Sequence, residues 1–173
     1  MALLCTGCAW RHREEFGARQ EGSALLLTEH LRSPSDERPV HLFDSFRGLP
    51  QENPAKDNFH RKGDLSDASE VAVRRLFADY PNVQIHCGLF EETVHELEHA
   101  TLCFAHIDAD LYSSVLFATT LVFPKLSKGG VILYDDYGFR TCGGAKAAVD
   151  EFFTRESAES IYLTTGQCLV LKR

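Results

Sequence analysis

The chain has 173 residues, and its 18 basic and 25 acidic side chains give a net charge of -7 without any basic tract. A phosphate backbone has little to bind here, so nucleic acid is not an expected partner. No apolar run approaches the roughly 18 residues of a membrane span, so no membrane partner is expected either. Six scattered cysteines favour a reduced, cytoplasmic setting. At this length we expect one domain covering residues 1–173.

Two glycines mark the first candidate ligand loop. Gly17 and Gly22, the latter followed by Ser23, precede an apolar helix predicted from Ala24 to Leu31. Glycine lets a backbone approach a ligand closely, and the first N–H groups of a helix point towards it. A first strand should end near Glu15, although that stretch is poor in apolar residues. An ordinary strand-to-helix turn is the alternative interpretation.

An acidic residue follows the second predicted strand. Val40 to Phe43 is apolar and ends at Asp44, about 20 residues after the glycine loop. A carboxylate in this position can accept hydrogen bonds from the two hydroxyls of a ribose. The third predicted strand, Val83 to Cys87, leads to Gly88, where a nucleobase would lie if Asp44 holds the ribose. A plain turn or cap residue is the alternative for Asp44.

The stretch from Gly48 to Gly63 is polar and irregular and contains two prolines. It is long enough to form a mobile lid over the edge of the sheet. His60 within it could be a base or a substrate contact, although an exposed loop histidine is more often neither. Ser66 is predicted to cap a helix that runs from about Asp67 to Tyr80.

The centre of the chain predicts a strand, a helix and a strand, namely Leu102 to Ile107, Tyr112 to Phe123, and Val131 to Tyr134. This is the βαβ unit of a parallel sheet. Near the end, Ser160 to Leu163 and Cys168 to Leu171 are separated by a loop too short for a crossover. These two strands are therefore predicted to form an antiparallel hairpin.

Acidic residues follow both central strands. Asp108 and Asp110 come after the first, and Asp135 and Asp136 come after the second. Neighbouring parallel strands end at the same edge, so these carboxylates should crowd together and repel one another unless a hard divalent cation lies between them. The alternative is structural, with Asp110 capping the following helix and Asp135-Asp136 beginning a turn.

With these elements placed, the chain resembles the macrocin O-methyltransferase family over roughly residues 15–173. The family contains S-adenosylmethionine- and magnesium-dependent enzymes that methylate hydroxyls of sugars and other natural-product scaffolds. The matching motifs occur in order: Glu15-Phe16-Gly17 with Gly22-Ser23, Asp44-Ser45-Phe46-Arg47-Gly48-Leu49-Pro50, Gly88-Leu89-Phe90, Asp108-Ala109-Asp110-Leu111-Tyr112, and Gly129-Gly130 to Asp135-Asp136-Tyr137. The resemblance implies an α/β, Rossmann-like methyltransferase fold with a mostly parallel seven-stranded sheet and a C-terminal antiparallel hairpin.

The resemblance also implies roles for individual residues. Asp108, Asp135 and Asp136 are expected to hold Mg²⁺. The expected S-adenosyl-L-methionine site comprises Glu15, Gly17, Gly22, Ser23, Asp44, Ser45 and Gly88. Asp108 and Asp110 are the expected catalytic residues, with Asp110 as the base, because two residues along an extended chain put it on the same side as Asp108. The expected acceptor is a hydroxylated small molecule.

Two departures from the family pattern qualify this expectation. Glu21 stands where a glycine is common, and the usual sequence before the cofactor loop is missing or unrecognisable. The family's longer amino-terminal segment covers the active site and takes part in dimerisation, so we expect a chain truncated at its N-terminus, with a homodimer left open. The rival functions are a cofactor-binding, non-catalytic member of the family and a nicotinamide-dependent oxidoreductase. The hairpin and the acid cluster argue against the oxidoreductase.

Overall fold

The structure, a computed structural model, describes residues 2–5, 25, 26, 28, 29, 38–156 and 158–173. Its strands are β1 (Ala2–Cys5), β2 (Val40–Asp44), β3 (Val83–Cys87), β4 (Leu102–Ile107), β5 (Leu126–Tyr134), β6 (Ala158–Tyr162) and β7 (Cys168–Lys172). Its helices are α1 (Glu70–Leu76), α2 (Phe90–Thr93), α3 (Tyr112–Lys125) and α4 (Gly143–Phe153), with 3₁₀ turns at Val94–Leu97 and Arg140–Cys142. Residues 25, 26, 28 and 29 are also helical, within the predicted Ala24 to Leu31 helix. No helix in these described ranges is both long and apolar enough to cross a bilayer.

The strands form one sheet in the order β3-β2-β1-β4-β5-β7-β6. β2 with β3 and β4 with β5 are parallel pairs, and β7 is antiparallel to both β5 and β6. Thus β2 to β6 all run in one direction, and the predicted mostly parallel sheet with its terminal hairpin is confirmed. The βαβ unit places β4 and β5 side by side, as predicted.

β1 differs from the expected first strand. It lies between β2 and β4 and is antiparallel to both. The strand expected to end near Glu15 falls outside the described residues. The opening Ala2–Cys5 tetrapeptide is instead an interior strand, and its uniformly apolar sequence suits a position with a strand on each side.

Both faces of the sheet are buried. Side chains alternate along each strand, so Phe43 and Leu42 belong to different apolar clusters. One cluster packs the sheet against α3 and α4 through residues such as Val115 and Ala148. The other packs it against α1 through Val73 and Phe77. This arrangement leaves the strand ends as the place where polar side chains can collect.

The start of α1 corrects one boundary from the sequence. The helix begins at Glu70, and its N-cap is Ser69, whose hydroxyl accepts a hydrogen bond from the Ala72 amide. The predicted cap, Ser66, lies three residues earlier, in a stretch that forms turns. Both serines are competent caps by residue type, and the start of the apolar face at Val73 decides between them.

The segment from Gly48 to Ser66 lies over the edge of the sheet and is anchored by a buried carboxylate. Asp57 is 5% exposed; its Oδ1 accepts from the Tyr112 amide at 2.9 Å and its Oδ2 accepts from the Asn53 amide at 2.7 Å. Leu111, the N-cap of α3, has no side chain that could cap the helix. Asp57 therefore supplies the missing cap and places a negative charge at the helix N-terminus.

Replacing Gly144 with alanine is expected to destabilise the protein by about 2–3 kcal/mol. A Cβ atom on Gly144 would overlap Asp57 Oδ1 and lie 3.0 Å from the Tyr112 amide nitrogen, so the methyl group displaces the cap of α3. Gly143 is the matched control, because its Cβ would meet no described atom within 4 Å. Gly143→Ala should be neutral or stabilising by up to about 1 kcal/mol. Denaturant unfolding compares the two variants, and equal stabilities would contradict the prediction.

Candidate active site

A cavity opens at the carboxyl-terminal edge of the sheet, where the loops after three strands converge. The loop after β2 contributes Asp44 and Gly48, the loop after β3 contributes Gly88, and the loop after β4 contributes Asp108 and Asp110. This is the edge at which open α/β sheets bind their ligands. The lining therefore brings together residues assigned from sequence to cofactor binding and to catalysis.

Asp44 and Ser45 form the β2 side of the cavity in different ways. Asp44 Oδ1 accepts from the Phe46 amide at 2.7 Å, which supports the left-handed Phe46 at φ 52°. The Ser45 hydroxyl donates to the Gly48 carbonyl at 3.0 Å and accepts from the Arg47 amide at 3.2 Å. The hydroxyl of Ser45 thus shapes the turn, while the carboxylate of Asp44 lines the cavity.

Gly88 terminates β3 with a backbone that suits glycine. Its φ is +149°, and a Cβ there would lie 3.0 Å from Thr93 Cγ2. Its amide donates to the Asp44 carbonyl at 3.0 Å, so the two cavity walls are tied together. Phe43 stacks on Phe90 at 5.3 Å beneath this junction and gives the cavity an aromatic floor.

Asp108, Asp135 and Asp136 come together as the sequence predicts. Each offers a carboxylate oxygen, and these atoms all lie within 4.8 Å of one another. The Asp135 amide donates to the Ile107 carbonyl at 3.0 Å, which holds the ends of β4 and β5 together. We call these three residues the carboxylate cluster.

Within the carboxylate cluster, Asp136 has a strongly raised pKa. It is 8% exposed, and burial, followed by repulsion from Asp110 and Asp108, raises its pKa to about 7. Its Oδ2 accepts from the Ala109 and Asp110 amides at 3.2 and 2.9 Å. Asp136 therefore braces the loop after β4, a structural role of the kind that the sequence left open, and it also offers a carboxylate oxygen to the cluster.

Asp135 is contacted by His106 on β4 and by Gln167 in the loop between β6 and β7. Its Oδ1 accepts from Gln167 Nε2 at 2.6 Å, and His106 Nε2 lies 3.5 Å from the same oxygen. Within the described ranges, the buried His106 Nε2 has no hydrogen-bond partner, and 3.5 Å is too long for a strong hydrogen bond, so we treat the pair as an electrostatic contact. His106 and Gln167 hold the pKa of Asp135 below its usual range, against the effect of burial.

Asp110 is neither in the extended conformation expected for a base beside Asp108 nor the cap of α3. It has a left-handed φ of 53°, so the chain is not extended there. Its Oδ1 accepts from Cys142 Sγ at 3.6 Å and lies 3.6 Å from His60 Nε2. Burial and the nearby Asp108 raise the pKa of Asp110. The cap of α3 comes from Asp57, so the structural alternative for Asp110 is wrong.

The donor set of the carboxylate cluster fits a hard divalent cation. All three side chains offer oxygen, which is the ligand preferred by Mg²⁺. Repulsion from Asp110 and Asp108 contributes to the raised pKa of Asp136. A cation bound between the carboxylates would favour their ionised forms.

Some predicted site residues cannot be placed, and some observed neighbours were not predicted. Glu15, Gly17, Gly22 and Ser23 lie outside the described residues. Gln167, His106 and Cys142 were not singled out as site residues. An antiparallel β7 must begin at the edge where β5 ends, so the hairpin loop that contains Gln167 could have been placed near Asp135 from topology. No comparable signal marks Cys142.

Comparison with known proteins identifies the family of this chain. The sequence model of the family described as macrocin-O-methyltransferase (TylF) matches residues 14–162. Demethyldecarbamoylnovobiocin O-methyltransferase of Streptomyces niveus is 34% identical over 149 residues, which cover 80% of this chain and 56% of that protein. Mycinamicin III 3''-O-methyltransferase of Micromonospora griseorubida is 30% identical over 148 residues, covering 78% of this chain and 57% of that protein.

Solved structures share the fold. The O-methyltransferase NovP has a TM-score of 0.69 at 29% identity, covering 87% of this chain and 67% of NovP. Calicheamicin methyltransferase CalS11 has a TM-score of 0.73 at 18% identity, covering 87% of this chain and 66% of CalS11, and shows the same fold. The chain spans a little over half the length of the curated relatives it matches. With a family model that matches most of its residues, this chain belongs to the macrocin O-methyltransferase family.

Proposed function

We propose that this chain is an S-adenosylmethionine-dependent O-methyltransferase that acts, with Mg²⁺, on a hydroxyl of a small-molecule acceptor. One observation carries the proposal. Asp108 belongs to the carboxylate cluster and also lines the cavity that contains Asp44 and Gly88. A cation site and a nucleoside site thus adjoin at one sheet edge, which is the arrangement that metal-assisted methyl transfer to a hydroxyl requires.

S-adenosylmethionine supplies a methyl group on a sulfonium centre that is already activated, so the protein's task is binding and alignment. Asp44 is suited to accept hydrogen bonds from ribose hydroxyls, and its own position is fixed by the Phe46 amide. The Gly88 turn borders the space beside it, over the Phe43 and Phe90 rings. These features support a nucleoside lying across the ends of β2 and β3.

Asp108, Asp135 and Asp136 would hold Mg²⁺, which lowers the pKa of an acceptor hydroxyl when it is bound. Asp110 is our proposed base. Burial and Asp108 raise its pKa, so its carboxylate takes up a proton more readily than an ordinary aspartate. His60 and Cys142 contact the same oxygen and restrict the direction in which it points.

The acceptor class follows from the relatives. Two relatives are named as O-methyltransferases of demethyldecarbamoylnovobiocin and of mycinamicin III, and transfer to oxygen implies a hydroxyl acceptor. The exposed Phe59, 62% accessible on the segment over the sheet edge, offers an apolar contact for a scaffold of this kind. Family membership and the carboxylate cluster favour this function over nicotinamide-dependent oxidoreduction.

Asp44→Asn tests the cofactor part of the proposal. Asparagine keeps the acceptor for the Phe46 amide but replaces the second carboxylate oxygen with a donor, so affinity for S-adenosylhomocysteine should fall by about 1.5–3 kcal/mol, or roughly 10- to 150-fold. Ser45→Ala is the matched control and should cost less than about 1 kcal/mol, because that hydroxyl contacts the turn. Calorimetry measures both affinities. Unchanged binding in Asp44→Asn would move the ribose elsewhere.

Methyl transfer separates the enzyme from its closest rival. A screen of hydroxylated natural products with methyl-labelled S-adenosylmethionine should yield a labelled product only when Mg²⁺ is present. Tight binding of S-adenosylhomocysteine without transfer to any acceptor would instead support a cofactor-binding, non-catalytic member of the family.

A further inference from the structure

A second group of potential metal ligands lies next to the carboxylate cluster and has a different chemistry. His60, Asp110 and Cys142 each present one ligand atom, and these three atoms lie within 4.8 Å of one another. They come from three parts of the fold, namely the segment over the sheet edge, the loop after β4 and the turn before α4. Cys142 is 4% exposed, so its sulfur faces the protein interior. We call this group the thiol cluster.

We propose that the thiol cluster is a binding site for zinc or a similar transition-metal ion. The first argument is geometric. Zinc bonds of about 2.0–2.1 Å to nitrogen, 2.0–2.2 Å to oxygen and 2.3 Å to sulfur put the ligand atoms of a tetrahedral site about 3.3–3.6 Å apart. In this protein, Asp110 Oδ1 is 3.6 Å from both His60 Nε2 and Cys142 Sγ. These two distances between ligand atoms are thus already close to those of a tetrahedral zinc site.

The second argument is the type of donor. Imidazole, carboxylate and thiol together favour zinc and its neighbours, because sulfur is a poor ligand for Mg²⁺. The carboxylate cluster offers only oxygen and has the opposite preference. Two adjacent sites with opposite preferences can discriminate between the two ions. Binding releases the thiol proton of Cys142 to solvent, and the fourth zinc position is left for water.

Asp110 couples the two sites. Its Oδ1 belongs to the thiol cluster, and its backbone amide donates to Asp136 in the carboxylate cluster. The consequence for activity rests on the proposed role of Asp110 as the base. Zinc bonded to Oδ1 occupies the oxygen that would accept the acceptor's proton, so zinc inhibits methyl transfer without occupying the cofactor site. Zinc binding itself does not depend on that role.

The competing explanation is that the same contacts are only hydrogen bonds that orient Asp110. Cobalt(II) distinguishes the two, because a cobalt–thiolate bond gives a near-ultraviolet charge-transfer band that a hydrogen-bonded thiol lacks. Titration of the parent chain with Co²⁺ should produce this band at one equivalent, and Zn²⁺ should abolish it. Excess Mg²⁺ should leave it in place. A parent chain without the band would overturn the proposal.

Variants assign the band to the thiol cluster. Cys142→Ser should lose it, and zinc affinity in a chelator competition should fall by more than about 100-fold, beyond the loss typical of an outer-shell partner. His60→Gln removes a different ligand and should also weaken zinc binding. Cys5 and Cys8 form a CxxC sequence near the start of the chain that could also bind a metal. The paired change Cys5→Ser and Cys8→Ser is therefore the matched control and should keep the band. A band that survives in Cys142→Ser would overturn the assignment.

Zinc inhibition tests the consequence separately. With each protein normalised to its own zinc-free rate, stoichiometric Zn²⁺ should suppress methyl transfer by the parent chain at least about tenfold more than transfer by Cys142→Ser. A zinc chelator should restore the parent rate. Zinc binding at Cys142 without inhibition would reject the role of Asp110 as base while leaving the metal site in place. Equal inhibition of both proteins would place the inhibitory ion outside the thiol cluster.

Discussion

Asp110→Asn is expected to lower kcat by about 10²- to 10⁴-fold, the usual contribution of a positioned base. Asparagine keeps the size and the contact oxygen of the side chain but cannot take up a proton at neutral pH. Cofactor affinity should remain close to that of the parent chain, because cofactor binding is not assigned to Asp110. Steady-state kinetics with calorimetry measures this separation of kcat from binding.

Asp64→Asn is the matched control for Asp110→Asn. Asp64 lies 3.8 Å from His60 Nδ1 on the segment over the sheet edge, and its side chain is 47% exposed. The same chemical change at this position should alter kcat by a few-fold at most. If Asp110→Asn were as active as Asp64→Asn, another group would have to accept the proton.

Asp108→Asn is expected to make the metal-free protein more stable at neutral pH by about 1–2 kcal/mol while removing its response to Mg²⁺. The charge of Asp108 raises the pKa of both Asp110 and Asp136, so its removal relieves repulsion at two buried carboxyls. In the parent chain, Mg²⁺ at 100 times its Kd should add about 2.7 kcal/mol. Methyl transfer by Asp108→Asn should fall by about 10³-fold, for loss of several kcal/mol of transition-state stabilisation.

Asp135→Asn also removes one negative charge from the carboxylate cluster, but it should lower the metal-free stability. In the parent chain, the pKa of Asp135 lies below the usual range because His106 and Gln167 favour the ionised form. This variant should also lose its response to Mg²⁺, because a proposed ligand is removed. It should lack the gain in metal-free stability expected for Asp108→Asn. Melting curves with Mg²⁺ and with chelator compare the three proteins. A parent curve insensitive to both additions would reject the magnesium site.

The pH dependence of the metal-free stability follows from the direction of the Asp136 pKa shift. Its folded pKa of about 7 is above the unfolded value of about 3.9, so the protonated form is favoured in the fold. This contribution to stability is complete below about pH 4 and is lost as the pH rises through about 7. The metal-free parent should lose stability relative to Asp108→Asn over this window. A constant difference would contradict the burial of an uncompensated charge at Asp136.

Local sequence patterns predicted most of the sheet and part of the site. Apolar runs that stop at acids located β2 and β4 and the residues that follow them, because a buried strand must end where charges begin. The crossover rule then placed Asp108 beside Asp135 and Asp136. These predictions succeeded because each depends on neighbours in the sequence or on a topological rule with few alternatives.

The remaining features depend on partners that are distant in sequence. Nothing in the Leu111-Tyr112 sequence indicates that its helix is capped by Asp57, and nothing near Cys142 indicates its contact with Asp110. The orientation of β1 is of the same kind, since four apolar residues fit either direction between two strands. These features are decided by tertiary packing, which short-range periodicity does not report.

The cap from Asp57 also limits the routes by which an acceptor can enter. Lifting the segment over the sheet edge breaks the hydrogen bond between the buried Asp57 carboxylate and the Tyr112 amide, which leaves α3 without a partner for its first amide. Such an opening is rare on the timescale of side-chain motion and exposes the Tyr112 amide to solvent. The rate at which that single amide exchanges its hydrogen for deuterium, under conditions where every opening leads to exchange, is therefore an upper limit on turnover by any route that requires the segment to lift. A kcat above that rate would require the acceptor to enter while Asp57 stays in place.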